Sequence, residues 1–355
     1  MRTAKLHIVL IGALLNCALL TLLTGALFTS CSLIDEDLSR CHTDYKMDYE
    51  MELVTNVTTE LETQLAFTSN LALSTALKTH LGGIFVDFAH DVDLSFYDVV
   101  GDSLRLYHET QIMDASESTY VLYIPQRRYM HIAVANVQNN GPVALLEGEK
   151  CHDAVLRQER KDTVDSHATG LYSALVPMNM NEGESQHFDV RLHMVNCASS
   201  LVLDTLGSGI KDVRVFLTGF ATELDLCDSI YRFNGKPIVR TEKVPVEEEP
   251  GNMCFAGVHF PSREPEETRT WIETTEPFET DGTGPILWEI KVYAYLPDGT
   301  ITESILGIRQ PIRPGQFRLI RAKLYRNGTA EPMDMSVGLV VTPDWSGGTN
   351  HVVPL

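Results

Sequence analysis

Seven cysteines are the side chains of this chain best suited to covalent chemistry: Cys17, Cys31, Cys41, Cys151, Cys197, Cys227 and Cys254. No two of them are spaced as C-x-x-C, which argues against a zinc site and against a thioredoxin-like dithiol. Cys31 differs from the rest because it directly follows two small residues, Thr29 and Ser30, at the end of an apolar run. A cysteine in that place is suited to acylation after the apolar run is cleaved off. If Cys17 leaves with the leader and Cys31 carries lipid, five thiols remain, and their pairing stays open.

Two further stretches combine residue types used in catalysis or metal binding. Cys151-His152-Asp153 places a nucleophile, a base and an acid side by side. A working site brings such groups together from separate segments, so we interpret this stretch as a polar loop. Asp91 and Asp93 could offer oxygen ligands to a metal, but a solvated strand face explains them equally well. The sequence contains no HExxH, GxSxG, P-loop or GxGxxG motif, and we expect no catalytic residue, no metal and no cofactor.

The first 30 residues have the order of an export signal. Arg2 and Lys5 are followed by an apolar stretch from His7 to Phe28 and then by small residues. A run of about 20 apolar residues could also span a bilayer, and an ordinary secretory signal is a second alternative. Cys31 at the end of the run favours a lipoprotein signal, although Phe28 stands where leucine is usual. We predict a signal peptide over 1–30 and lipid attachment, such as palmitate, at Cys31.

Residues 31–43 are predicted to form an acidic tether between the lipid and the folded chain. Asp35, Glu36 and Asp37 resemble the export signal that sends some Gram-negative lipoproteins to the outer face of the outer membrane, and a polar spacer is an equal alternative. Cys41 is either a disulfide partner of an unknown cysteine or a buried thiol. The net charge is -20, and it becomes -22 when Arg2 and Lys5 leave with the leader. Such a surface repels nucleic acid, which we exclude as a partner.

The mature chain has the pattern of a mainly β protein with enough length for two domains. Tyr45 to Leu53 alternates apolar and charged residues, which is typical of a strand with one wet face. Short strands follow at regular spacing, among them 92–98 and 118–125, with turn residues between them, and this predicts β-sandwiches. A helix is predicted at about 59–81, capped by Thr59 and Glu62 and ended by Gly82-Gly83, as a crossover packed on a sheet. Its weak middle, Phe67 to Asn70, could break it in two. We place the domains at 44–193 and 194–355.

The charged segment 147–168 lacks strand periodicity and is predicted to be a long surface loop or a short helix. It contains Asp162-Thr163-Val164, which matches a bacterial O-glycosylation pattern of Asp, Ser or Thr, and an apolar residue. A three-residue pattern of this kind arises often by chance. We retain Thr163 as a possible O-glycosylation site because its segment is predicted to be an exposed loop.

Three stretches together resemble the FimB-type fimbrium-anchoring lipoproteins. They are Ile34 to Cys41 close behind Cys31, the alternating strand at 45–53, and Asp344-Trp345-Ser-Gly-Gly348. The resemblance implies two tandem transthyretin-like β-sandwich domains and a lipid-anchored place at the surface of the outer membrane. It also implies fimbrial structural subunits as partners, joined by donation of a strand, and no enzymatic activity. A cell-surface adhesin or glycan-binding lipoprotein on the same scaffold is the alternative.

Overall fold

The first described strand, β1 (Asp44–Val54), follows the alternation of its sequence. Met47, Tyr49 and Met51 are buried, and the charged residues between them face outward. The structure is a computed structural model, and it describes residues 44–54, 62, 65, 70–86, 89–100, 103–112, 119–138, 140–180, 186–246, 251–263 and 284–333. All of these except Asp44 belong to one compact unit, Tyr45–Leu355.

The helix α1 (Leu71–Ile84) covers the second part of the predicted helix, and the described residues Glu62 and Leu65 ahead of it are helical as well. The predicted start, Thr59, lies outside the described residues. Asn70 is the N-cap, because its side chain accepts a hydrogen bond from the backbone N–H of Leu73 at 2.9 Å. The helix runs through Gly82-Gly83 to Ile84. Its buried leucines recur at helical spacing and fix its packing face: Leu73, Leu77 and Leu81.

Twenty further strands complete the described chain, with one 3-10 helix at Cys151–Asp153. They are β2 (Asp91–Asp98), β3 (Arg105–Ile112), β4 (Thr119–Pro125), β5 (Arg128–Ala135), β6 (Val143–Leu146), β7 (Val155–Gln158), β8 (Thr163–Asp165), β9 (Tyr172–Asn179), β10 (Gln186–Met194), β11 (Cys197–Asp204), β12 (Asp212–Thr218), β13 (Glu223–Asp225), β14 (Ile230–Arg232), β15 (Ile238–Arg240), β16 (Glu242–Val244), β17 (Asn252–His259), β18 (Trp288–Tyr295), β19 (Ile301–Ile308), β20 (Phe317–Leu324) and β21 (Ala330–Pro332). The prediction of a mainly β fold with one helix is confirmed.

The strands form four sheets. A seven-stranded sheet has the order β3-β2-β5-β9-β10-β1-β4, and within it β1 runs parallel to β10 from Met47↔Gln186 to Val54↔His193. Two five-stranded sheets have the orders β16-β17-β11-β20-β21 and β19-β18-β12-β15-β8. The fourth sheet, β14-β13-β7-β6, has four strands.

Three apolar cores lie between these layers. The first joins α1, the seven-stranded sheet and residues of β11, β17 and β20. The second lies between the two five-stranded sheets around the fully buried Trp288. The third joins Ile132 and Val134 of β5 to Leu156 of β7 and Leu224 of β13. Sheets facing each other across an apolar core are the layered arrangement of β-sandwiches.

The segment 147–168 differs from its prediction as a loop or helix, because it contains β7 and β8. Leu156 of β7 pairs with Leu224, and Val164 of β8 pairs with Val239. All four side chains are buried. Strands of three or four residues are too short to show a period, and their partners lie far along the chain. Both pairings link the two predicted domains, whose boundary at 193/194 stays a prediction.

Candidate functional site

Most of the predicted site residues lie outside the described residues: Cys31, Asp35, Glu36, Asp37 and Cys41. Lipidation and the export signal therefore stay predictions, and the Asp344–Gly348 stretch also lies beyond the described chain. Thr163 is described. It lies in β8, opposite Ile238 of β15, and is half-buried rather than part of an exposed loop. Its glycosylation stays a prediction, with a weaker basis.

No helix among the residues with described positions combines the length and the apolar character needed to cross a bilayer.

One edge of the seven-stranded sheet is apolar and is open as far as the described strands go. Among the described strands, β4 has a neighbour, β1, on one side only. Its side chains alternate: Tyr120, Leu122 and Ile124 are buried, whereas Val121 is 47% exposed and Tyr123 is 57% exposed. The strand carries no charge from Thr119 to Pro125. It therefore presents backbone N–H and C=O groups and exposed β-forming side chains together along one edge.

The opposite edge of the same sheet, β3, is built differently. It carries Arg105, His108 and Glu109, and its register against β2 shifts between Phe96 and Tyr97. Charged side chains and register irregularities are devices by which natural edge strands resist pairing with another chain. In β4 the one such device is Pro125, which comes at the last position. Strand addition is thus favoured at β4 over β3.

The outward face beside β4 is charged. On β1 and its neighbour β10, Glu52 Oε2 lies 2.9 Å from Arg191 Nε, and Glu50 Oε2 lies 3.5 Å from His187 Nε2. These ion pairs are exposed, so each contributes about 0–1 kcal/mol to stability. They keep the β1–β10 face wetted, which leaves Val121 and Tyr123 as an apolar strip at the edge.

Asp93 belongs to an ionic network rather than to the solvated strand face considered from the sequence. Its Oδ2 lies 2.7 Å from His108 Nε2, and Thr110 also donates to it. Glu147 Oε1 lies 3.3 Å from the same histidine nitrogen, and Arg105 donates to Glu147 Oε2 at 2.6 Å. Asp93, His108 and Glu147 each offer a ligand atom that could help to hold a cation.

The electrostatics of this network follow from burial and pairing. Burial raises the pKa of Asp93, and hydrogen bonding to His108 opposes that shift. Burial also opposes ionisation of Glu147, but the hydrogen bond from Arg105 and the charges of His108 and Arg105 hold the pKa of Glu147 below its usual range. Arg105 and His108 already partner the two carboxylates, so the geometry fits a structural network.

Asp91 also has a structural task. Its Oδ1 accepts hydrogen bonds from the backbone N–H groups of Val137 and Gln138, at 2.9 and 3.2 Å, and its carbonyl accepts from the N–H of Asn136. Asn136 has φ +66, so the chain turns sharply there, directly after β5. The carboxylate ties this turn to the start of β2.

A buried histidine group combines residue types that sequence reasoning did not connect. His259 Nδ1 lies 2.8 Å from the carbonyl of Phe260, which fixes Nδ1 as the donor, and Nε2 accepts from Ser199 Oγ at 2.9 Å. Cys197 Sγ lies 3.4 Å from the same Nδ1. All three side chains are 0% exposed. A thiol and a hydroxyl beside a histidine suggest catalysis by type, but complete burial excludes contact with a substrate. Local periodicity in β11 and β17 gives no sign of the pairing, since Cys197 and His259 are 62 residues apart.

Cys151, His152 and Asp153 do not act as a unit. Cys151 is buried and its thiol hydrogen-bonds to Cys227, whereas His152 is exposed and its Nδ1 lies 3.5 Å from Asp228 Oδ1. The stretch forms a 3-10 helix with a buried cysteine rather than the polar loop predicted from the sequence. Its partners, Cys227 and Asp228, were not identified from the sequence.

Comparison with known proteins finds similarity in fold. No protein family and no curated protein matches the chain. A candidate adhesin from Bacteroides ovatus ATCC 8483 matches with a TM-score of 0.50 and 11% identity, over 84% of this chain and 97% of that one. A candidate polysaccharide-binding protein from Bacteroides thetaiotaomicron VPI-5482 has a TM-score of 0.49 and 9% identity, over 82% and 99%. The fimbrial anchor protein Mfa2 from Porphyromonas gingivalis has a TM-score of 0.43 and 11% identity, over 78% and 90%. The chain shares its β-rich fold with the Bacteroides ovatus protein.

Proposed function

We propose that this chain is a lipid-anchored outer-membrane protein that serves as the anchor, or another accessory subunit, of a surface fimbrium. It has a structural rather than a catalytic role. The observation that carries the proposal is the open apolar edge at β4, which offers main-chain hydrogen bonds to an incoming strand of a fimbrial subunit. The leader, Cys31 and the acidic tether support attachment to the membrane, and the fold shared with a candidate adhesin is compatible with a place at the cell surface.

Strand addition at β4 explains why its outward residues are apolar. An added strand would place its own side chains beside Val121 and Tyr123, so that the exposed parts of both would leave water. Burying apolar surface contributes about 25 cal/mol per Å², on top of the hydrogen bonds along the edge. The partner is a strand with apolar residues at alternate positions.

Co-purification tests this docking edge. The tagged full-length chain is extracted from its own bacterium, and fimbrial subunits that remain bound are identified by mass spectrometry. Val121→Lys places a charge on the proposed edge. Leu106→Lys is the matched control, because Leu106 is 44% exposed on β3 at the opposite edge of the same sheet. We expect Val121→Lys to release the fimbrial subunits and Leu106→Lys to retain them.

The outcomes separate the parts of the proposal. Retention by both variants would assign docking to another edge, and absence of fimbrial subunits from the wild-type sample would overturn the fimbrial role. Incorporation of radiolabelled palmitate, with Cys31→Ala as control, tests the anchor. Deletion of the gene should release fimbriae or change their length.

The alternative is a surface adhesin that binds glycans. A sugar platform needs exposed aromatic side chains close together. In the described part of the chain the exposed large aromatic residues are Tyr123, on β4, and Tyr325, which follows β20 in a different sheet. The described surface therefore favours docking of a strand over glycan binding. A carbohydrate array discriminates the two, since binding of a defined glycan would favour the adhesin.

A further inference from the structure

Two cysteines from distant parts of the chain meet in the four-stranded sheet. Cys151 begins the 3-10 helix that precedes β7, and Cys227 lies in the turn that follows β13. Strands β7 and β13 pair antiparallel, and the backbone N–H of Leu226 donates to the carbonyl of Ala154 at 3.0 Å. The N–H of Ala154 in turn donates to the carbonyl of Cys151 at 3.1 Å. This chain of hydrogen bonds holds the two cysteine backbones beside each other.

The two side chains also face each other. Both are free thiols in the structure, they lie within hydrogen-bonding reach of each other, and both pack in or against the third apolar core. The other two described cysteines have different surroundings. Cys197 Sγ contacts His259, and Cys254 is buried in β17. Contact between thiols is thus found at Cys151 and Cys227.

We propose that Cys151 and Cys227 form a disulfide in the exported protein. The half-buried Cys227 is the reachable thiol. Its thiolate attacks the disulfide of an external oxidant, RSSR, which gives a Cys227–SR mixed disulfide and releases one RS⁻. Cys151 then loses its proton and attacks Cys227 Sγ, which expels the second RS⁻. Both RS⁻ groups take up the two protons lost by the cysteines, so RSSR is reduced to two RSH while the cysteine pair is oxidised.

The surroundings of the pair slow its reaction with an oxidant. Burial, hydrogen bonding to Cys227 and the charges of Asp225 and Asp228 raise the pKa of Cys151. Burial and the same carboxylates raise the pKa of Cys227. Few thiolates are present at neutral pH, so exchange is slow with a weak oxidant and faster in alkaline solution.

The cross-link would connect two halves of one sheet that come from separate parts of the chain. Strands β6 and β7 end at Gln158, and strands β13 and β14 begin at Glu223, so residues 159–222 separate the two halves in sequence. The inference requires export to an oxidising compartment but not the fimbrial role, so the two proposals can fail separately.

Peptide mapping tests the disulfide in the full chain. The protein is extracted from its own bacterium in acid, its free thiols are alkylated, and it is digested with trypsin without reduction. We expect peptides 151–157 and 215–232 as one species whose mass is two hydrogens below the sum of the reduced peptides. Reduction should separate them. Alkylation of both cysteines in the isolated protein would overturn the proposal.

Metal analysis addresses the competing use of these residues. Cys227, Asp228 and His152 could hold a metal ion. One equivalent of zinc retained on alkylation-sensitive thiols would overturn the disulfide in favour of a metal site.

A melting experiment measures the effect of the disulfide on stability. Dithiothreitol should lower the Tm of the wild type and leave that of Cys227→Ser unchanged. Cys254→Ser should behave as the wild type. If Cys227→Ser does not fold, the peptide map of the wild type still decides.

Discussion

Replacing His131 should flatten the pH dependence of stability below about pH 6.5. His131 is fully buried in β5, where Nδ1 donates to the carbonyl of Ser95 at 3.1 Å and Nε2 accepts from the hydroxyl of Tyr49 at 2.8 Å. Its ring stacks on Phe96, with ring centroids 4.2 Å apart. A second proton on Nε2 would face the Tyr49 O–H donor in an apolar site. Burial accordingly lowers the pKa of His131 to about 4.

The sign and size of the change in stability with pH follow from the difference in proton binding between the folded and unfolded chain. An unfolded histidine has a pKa of about 6.5, so below that pH the unfolded chain binds a proton that the folded chain does not. Stability therefore falls as pH falls from about 6.5 to about 4, the folded pKa of His131. The slope is about 1.4 kcal/mol per pH unit, which gives about 2 kcal/mol for this histidine at pH 5. Burial likewise lowers the pKa of His167 and of His259 to about 3. The three together should remove about 6 kcal/mol at pH 5, comparable with the whole stability of many domains.

Urea unfolding between pH 5 and 6.5 measures this effect. The window lies above the range in which most carboxylates titrate, so the slope is dominated by histidines. His131→Gln should reduce the slope by about 1.4 kcal/mol per pH unit, whatever it costs in stability at neutral pH. His187→Gln removes an exposed histidine on β10 of the same sheet and is the matched control. If His131→Gln and the wild type lose stability in parallel, the reasoning from burial is refuted.

Two further predictions concern the backbone. Asn70→Ala should lower the free energy of unfolding by about 1 kcal/mol, because the N–H of Leu73 loses its cap, and urea unfolding at neutral pH measures it. Gly219→Ala should lower the free energy of unfolding clearly more than Gly235→Ala does. Both glycines have positive φ, but a Cβ at 219 would lie 2.7 Å from the Cα of Trp288, whereas a Cβ at 235 would meet open space. Equal unfolding midpoints for the two glycine variants would contradict the packing argument.

The alternation of apolar and polar residues was sufficient to predict where the longer strands lie. Alternation predicted a strand at 45–53, and β1 buries Met47, Tyr49 and Met51 as that pattern requires. The segments 92–98 and 118–125 correspond to β2 and β4 within one residue. These elements are long enough for a period of two to stand out. Strands β1 and β4 bury one face each, whereas β2 is buried on both faces although its residue types alternate.

What could not be predicted depends on pairing between distant segments. Asp93 is buried because β3 places His108 and Thr110 against it, and nothing around Asp93 in the sequence states which strand lies there. The meeting of Cys151 and Cys227 likewise depends on the pairing of β7 with β13. Register between strands is set by the fold as a whole, so residues that meet across sheets cannot be read from spacing.

The open edge at β4 is also a property of strand order. The same alternating residues in the middle of a sheet would be paired on both sides and could not accept a further strand. What makes β4 available is that β1, inserted parallel to β10, ends the described sheet with β4 as the last strand. The predicted tether, 31–43, runs in sequence directly into β1. The strand that the lipid would hold and the strand that a fimbrial partner would extend are therefore hydrogen-bonded neighbours. Under the proposed function, a pull on the fimbrium passes from β4 through β1, which is itself fixed to β10 over eight register pairs.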